Sequence, residues 1–235
     1  MTTVARARAL PSCPMTLALE GRLLIARFAG PQRVASWAIV GGGLRRSRTV
    51  AWLQVCDETL RPPIDPRRWL REQLQAAGMP DAVGLLTSRR IDAYVDERCE
   101  YAGAHARCVT TVGLGNALRA GDPPGANARI GTINTLCWVS CALSSEALLE
   151  ALALAAEART LAVREAGVAS TRTGEPASGT GTDCIVIAAP DGGPPTRYAG
   201  KHTAAGHLIG AAVHAATRRG VEQWQAERGR PVSER

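Results

Sequence analysis

The sequence predicts an α+β fold, a single domain over residues 1–235 with a mixed, largely antiparallel sheet and helices packed on it. Three observations carry this. The N-terminal third is a series of short apolar or alternating segments separated by glycine, the pattern of strands and tight turns. The second half holds two long alanine-rich stretches with helical start and stop signals. No repeat, low-complexity tract or composition break divides the 235 residues, a length that one domain can fill.

MTLALEG (15–21) and RLLIARF (22–28) alternate or run apolar around Gly21 and predict a hairpin. SWAIVGGG (36–43) and RTVAWLQV (48–55) read as two further strands joined by a Gly/Arg turn. Pro62, Pro63 and Pro66 punctuate the entry to a helix at about 66–77, which Gly78 and Pro80 end. AVGLLTS (82–88) and CVTTVGL (108–114) are short strands, GDPPG (121–125) is a turn, and TINTLCWVSCAL (132–143) is a buried strand. Ser144 and Ser145 cap a helix that reaches about Gly167. A strand over 183–189 follows, then a last helix from about Thr203 to Gly220, with a polar, frayed tail from Val221.

Composition narrows the function classes. With five Trp, three Tyr and one Phe, the core must be largely aliphatic, which makes the tryptophans stand out. The net charge is +7, but no basic run is interleaved with aromatics, so nucleic acid is not the expected partner. The basic residues are arginines with one exception, Lys201. Seven cysteines without framework spacing, and a first segment interrupted by Glu20 and Arg22, point to a cytoplasmic protein without a leader. No apolar run approaches the roughly 18 residues that would insert in a membrane.

Two familiar chemistries lack their residues. TVGLGNAL (111–118) follows a strand as a phosphate loop would, but Leu118 stands where the third glycine belongs. The cysteines form no paired CxxC and find no matching histidine pair, so no metal site is expected.

The polar signal lies in ASGTGTDCIVIAA (177–189) and GKHTAAGHLIG (200–210). Thr180, Thr182, Asp183 and Cys184 crowd the mouth of an apolar strand, and Lys201, His202 and Thr203 precede a helix N-terminus, where the dipole favours anions. As structure alone, the first segment is a polar turn closing a sheet. As chemistry, a carboxylate, an ammonium and an imidazole among hydroxyls suit hydrolysis or acyl transfer. Asn134 sits inside an apolar strand, where an unpartnered amide costs about 1–3 kcal/mol, so it must bond a backbone group or a ligand. Glu157 and Arg159 interrupt an alanine-rich helix. Glu157 fits a solvated stripe with Glu146, Glu150 and Arg164, whereas Arg159 does not.

Six ordered motifs, over roughly residues 35–215, give the chain a family resemblance. GGG (41–43), LLTS (85–88), GTINT (131–135), EART (157–160), SGTGTDCIVIAAP (178–190) and YAGKHTAAGHLIG (198–210) resemble the adenosylcobinamide amidohydrolase family. The resemblance implies a hydrolase of corrinoid salvage. It would cut the amide joining aminopropanol to the corrin, giving adenosylcobyric acid and 1-aminopropan-2-ol. The alternative is a module that binds corrinoids without cleaving them. Cobalt would enter only within the substrate, with no separate cofactor. The family's polar positions fall on Thr132, Asn134, Glu157, Arg159, Thr160, Thr180, Thr182, Asp183 and Thr203.

On this reading the catalytic set is Asp183, Thr182, Lys201, His202 and Glu157. Asp183 acts as general base or orients the attacking group, Thr182 is the hydroxyl beside it, and Lys201 or His202 protonates the leaving nitrogen. Thr180 and backbone amides hold the oxyanion. Asn134, Thr132, Arg159, Thr160, Thr203, Gly42 and Gly43 complete the substrate site, with Glu157 and Arg159 meeting Asn134 beneath the substrate. Trp37, Trp52 and Trp138 either face the corrin plate or fill the core.

Overall fold

Strand alternation and turn glycines build the N-terminal sheet. In the computed structural model, which describes residues 13–56, 58–125 and 131–228, β1 (Met15–Glu20) turns at Gly21 (φ 59°) into the long β2 (Leu23–Ser36). A register shift between Arg27 and Gln32 bends β2, so its first half pairs with β1 and its second half with a later strand. β3 (Gly43–Gln54) returns antiparallel to β2.

Asp65 caps α1 (Pro66–Ala76), its Oδ1 accepting from the N–H groups of Arg67 at 2.8 Å and Arg68 at 3.2 Å. Leu70 and Leu74 of that helix bury against β3 and β4 (Val83–Thr87). A 3-10 turn (Ile91–Ala93), β5 (Val95–Tyr101) and β6 (Ala104–Val112) follow, then β7 (Ala117–Leu118) and β8 (Ile133–Val139). Ser144 caps α2 (Ser145–Glu165), β9 (Gly179–Thr180) pairs with β7, and β10 (Cys184–Pro190) precedes α3 (Ala204–Arg228).

The result is α+β, with three helices packed on an eight-stranded mixed sheet of order β4-β3-β2-β10-β8-β6-β5, β1 extending β2. Only β3 with β4 and β8 with β10 run parallel. The sheet curls tightly enough for the Trp52 indole N–H on β3 to reach the Asn134 carbonyl on β8 at 3.4 Å. Trp52 and Trp138 fill the inner face with Leu24, Phe28, Leu85 and Leu136, so neither is free to meet a ligand plate. On the outer face, alanines of α2 let Leu208, Ile209 and Val213 of α3 approach and cover β6, β8 and β10.

Three expectations are corrected. SWAIVGGG is not a strand: β2 ends at Ser36, and residues 37–42 form an irregular link touching the sheet by one bridge, Val40 to Gly84. A side chain at Gly42 would overlap the Ala38 carbonyl, which is why glycine stands there. The last helix does not stop at Gly220, because Val221 and Trp224 continue its apolar face against Val112, Leu114 and Ile133. The expected frayed tail is therefore helical to Arg228, and the rest of it lies outside the described residues. β5, unanticipated, is a charged sheet edge whose Asp96 and Glu97 pair with Arg107 and Arg219. Among the described residues no helix is long and apolar enough to cross a membrane.

Candidate active site

The parallel register of β8 and β10 sets Asn134 beside Cys184 at the start of both strands, so the motifs entering these strands must meet. Asp183 is the hub, its side chain only 6% exposed. Its Oδ1 accepts from the Thr180 hydroxyl at 2.5 Å and the Ile133 N–H at 2.9 Å. Its Oδ2 accepts from the Thr180 N–H at 2.8 Å and lies 3.1 Å from the Arg159 guanidinium. A carboxylate offers about four acceptor directions, and protein donors fill them all here. A side chain at Gly179 would overlap Oδ2, which accounts for that glycine.

Around this hub the Thr132 hydroxyl sits 3.0 Å from the Thr182 carbonyl and 3.2 Å from Asn134 Oδ1. Asn134 Nδ2 donates to the Leu86 carbonyl at 2.6 Å, which resolves half of the expectation for its buried amide. That nitrogen carries two hydrogens, and the second is left for another acceptor. Thr182 donates to the Gly131 carbonyl at 3.1 Å while its side chain stays open to solvent. Thr160 donates to the Ser178 carbonyl at 3.0 Å, tying α2 to the same turn.

These groups border a cleft of about 420 Å³ whose walls are Trp37, Ile39, Leu85 and Leu86 and whose polar rim is Thr132, Asn134, Thr182 and Asp183. Trp37 is the one tryptophan of the three that faces this space. It is 48% exposed, and its indole N–H donates to the Asp183 carbonyl at 2.7 Å, which ties the ring to the polar side of the cleft. The cleft wall that follows β3 escaped the sequence reading, whereas Leu85 and Leu86 of β4 belong to the quoted LLTS motif. Ser88 lies within a motif the reading quoted, whereas Val55 and Cys56 at the end of β3 carry no signal of their own.

The structure separates six of the expected residues from this cluster. Glu157 does not reach Asn134: two residues along a helix turn through about 200°, so with Arg159 directed inward Glu157 must point out. It is 57% exposed and pairs on the surface with Lys201, itself 64% exposed. His202 is exposed beside it. Thr203 caps α3, its hydroxyl accepting the Gly206 N–H at 2.9 Å. The GKHT segment is thus a docking turn. Ala199 N–H bonds Glu150 at 2.6 Å, and Gly206 packs so closely on the Gly200 carbonyl that no side chain fits. Gly42 and Gly43 shape the link that carries Trp37 and Ile39 without lining the cleft themselves. Lys201→Arg should therefore keep turnover within about twofold of the parent, as exposed ion pairs contribute little, and a steady-state assay that shows a large fall would return the ammonium to the chemistry.

Cys184 lines the cleft, yet burial pushes its thiol up to about 11 despite the Ser36 hydroxyl 3.7 Å away. A thiol with so high a pKa is protonated throughout the neutral range and is a poor nucleophile. Iodoacetamide at about pH 8 should leave Cys184 unmodified in the folded protein by mass spectrometry, while exposed Cys56 reacts. Rapid labelling of Cys184 would contradict this. Among the described residues no three His, Cys, Asp or Glu side chains converge as a metal set.

Comparison with known proteins adds identity to this geometry. The family described as CbiZ, adenosylcobinamide amidohydrolase, matches residues 15–229. The adenosylcobinamide amidohydrolase of Methanosarcina mazei is 30% identical over 193 residues, 78% of this chain and 87% of that protein. Among solved structures, the PH0078 protein of Pyrococcus horikoshii OT3 shows a TM-score of 0.43 at 9% identity over 90% of this chain and 82% of the other, too distant a likeness to inform the site.

Proposed function

This chain belongs to the CbiZ family of adenosylcobinamide amidohydrolases, and from that premise we propose that the cleft under Trp37 is where the amide is held and cut. The activity is hydrolysis of adenosylcobinamide in corrinoid salvage, so a module that only binds corrinoids is not the reading. The finer claim is that the bond broken joins the corrin to its aminopropanol arm. One observation carries the assignment to this cleft. Polar side chains from three of the chain's motifs border one opening, and its other walls are apolar with an exposed indole. A corrin is a broad, mostly neutral plate with amide arms, which calls for apolar surface beside amide-complementary groups.

Amide hydrolysis adds water to the carbonyl carbon, breaks the C–N bond and leaves the nitrogen as an amine carrying a proton. In this cleft the second N–H of Asn134 is the donor for the carbonyl oxygen as it gains charge. Thr182 offers the solvent-facing hydroxyl that positions the attacking oxygen. Asp183 is a positioning residue. To act as base it would have to release Thr180, Ile133 or Arg159, whereas its charge as it stands clamps residues 131–133 to 180–183 and so sets the Thr182 and Asn134 side chains.

The test is to incubate the purified protein with adenosylcobinamide and measure 1-aminopropan-2-ol and adenosylcobyric acid by mass spectrometry. Equimolar release of both supports the reading. Corrinoid recovered unchanged, or cleaved at another amide, contradicts it.

A further inference from the structure

A second depression adjoins the cleft and shares with it Val55, Cys56 and Ser88. It measures about 670 Å³, and its chemistry differs from that of its neighbour. Gln54, Glu58, Arg89 and Arg90 supply polar walls, Gly113 and Gly115 bring backbone to the surface, and Trp224 closes one side with the Arg228 guanidinium 4.5 Å from its ring centroid.

Two of these groups have hydrogen-bonding capacity that the protein does not use. Gln54 accepts the Ile91 N–H on its Oε1 at 3.2 Å, which fixes the amide and leaves the two Nε2 hydrogens without a partner among the described residues. Arg89, with its side chain 9% exposed, holds Glu227 through both terminal nitrogens, while its enclosed Nε has no acceptor among the described residues. The Gln54 amide is thus the free donor group of this wall, while Arg89 anchors Glu227 behind it.

A flat apolar plate has no need of such walls, but one part of an adenosylated corrinoid does. The adenosyl group is a heteroaromatic ring with nitrogen acceptors, joined to a hydroxylated sugar. It requires an aromatic or guanidinium face, N–H donors for the ring nitrogens and carboxylate or amide acceptors for the ribose. We propose that this second depression is the subsite for the substrate's adenosyl group, with Gln54 as its principal donor and Trp224 as its aromatic wall. The proposal rests on the reading of the neighbouring cleft as the corrinoid site. The shared wall at Val55, Cys56 and Ser88 then marks where plate and nucleoside join.

The experiment uses the full chain and two substitutions outside the amide-cutting rim, Gln54→Leu and Gln54→Glu, the second retaining an acceptor for the Ile91 N–H. Aminopropanol release from adenosylcobinamide gives KM and kcat, and Trp fluorescence titration gives Kd for adenosylcobinamide and cyanocobinamide. 5′-Deoxyadenosine alone serves as competitor. The expected result is competitive inhibition by 5′-deoxyadenosine and, for Gln54→Leu, a KM for the adenosyl substrate raised about tenfold, the worth of one hydrogen bond. Its kcat and its Kd for cyanocobinamide should stay within about twofold. Should Gln54→Leu fail to fold, the same split is expected of Gln54→Glu, which removes both donors. Equal losses for both corrinoids, no loss for either, or no competition by the nucleoside would overturn the subsite. The parent's release of aminopropanol would still support the cleft, and a parent that releases none would instead sink the reading on which this rests.

Discussion

Asp183→Asn should lower the melting temperature by roughly 10 °C and abolish turnover as a consequence. The carboxylate is buried and meets four donors, and an amide can accept at only one of its two ends. Placed at Oδ1, the new NH₂ faces the Ile133 N–H; placed at Oδ2, it faces the Thr180 N–H and the Arg159 guanidinium. Arg159, 12% exposed, would also keep its charge without its partner. Breaking one side of a buried pair costs about 3–5 kcal/mol. Adding Arg159→Met should then cost less than the two single changes summed, because the pair can be lost only once. Thermal unfolding of the two singles and the double tests this. A fully stable Asp183→Asn with turnover reduced on its own would show that the carboxylate takes part in proton transfer and is not a clamp.

Thr182→Val should do the reverse, with turnover falling about a hundredfold while stability barely changes. The substitution keeps the shape and removes the hydroxyl. The structural loss is one exposed bond to the Gly131 carbonyl at 3.1 Å, about 1 kcal/mol or less. What disappears is, among the described residues, the threonine hydroxyl open to the cleft, since Thr87 and Thr132 are buried and committed to their neighbours and Thr180 to Asp183. The measurement is kcat for aminopropanol release beside the melting curve. Turnover within about threefold of the parent would remove Thr182 from the chemistry.

The contrast between these variants shows how far the sequence could be read. Elements whose signals are local were legible: the Gly21 hairpin, the Pro66 start of α1, and the Ser144 cap of α2 all form where their residue types place them. The SWAIVGGG link misled because its apolar residues serve tertiary contacts, Trp37 over the cleft and Val40 against Gly84, and not a ladder. The end of α3 misled because VEQWQAER is polar by composition, yet Val221 and Trp224 lie on one buried stripe.

For the site, motifs brought together by the register of β8 with β10 were found, since GTINT and SGTGTD enter neighbouring strands. Motif membership could not distinguish a residue that shapes the fold from one that meets substrate. Glu157 and Arg159 share a motif but face opposite ways, and Thr203 and its glycines serve the docking of α3. The lone lysine drew notice by composition, but a surface pair with Glu157 uses any cation. Trp37 could not be singled out from Trp52 and Trp138 until the curl of the sheet showed which two are enclosed.

The central claim, that the cleft beneath Trp37 holds the scissile amide, is tested most directly by a crystal structure of Thr182→Val with adenosylcobinamide bound. The substitution should slow cleavage enough to trap the substrate. The account predicts the corrin against Trp37 and the aminopropanol amide with its carbonyl oxygen about 3 Å from Asn134 Nδ2, beside the position of the missing hydroxyl. Corrinoid seated instead on the helical face beside Glu157 and Lys201, with the cleft under Trp37 empty, would contradict it.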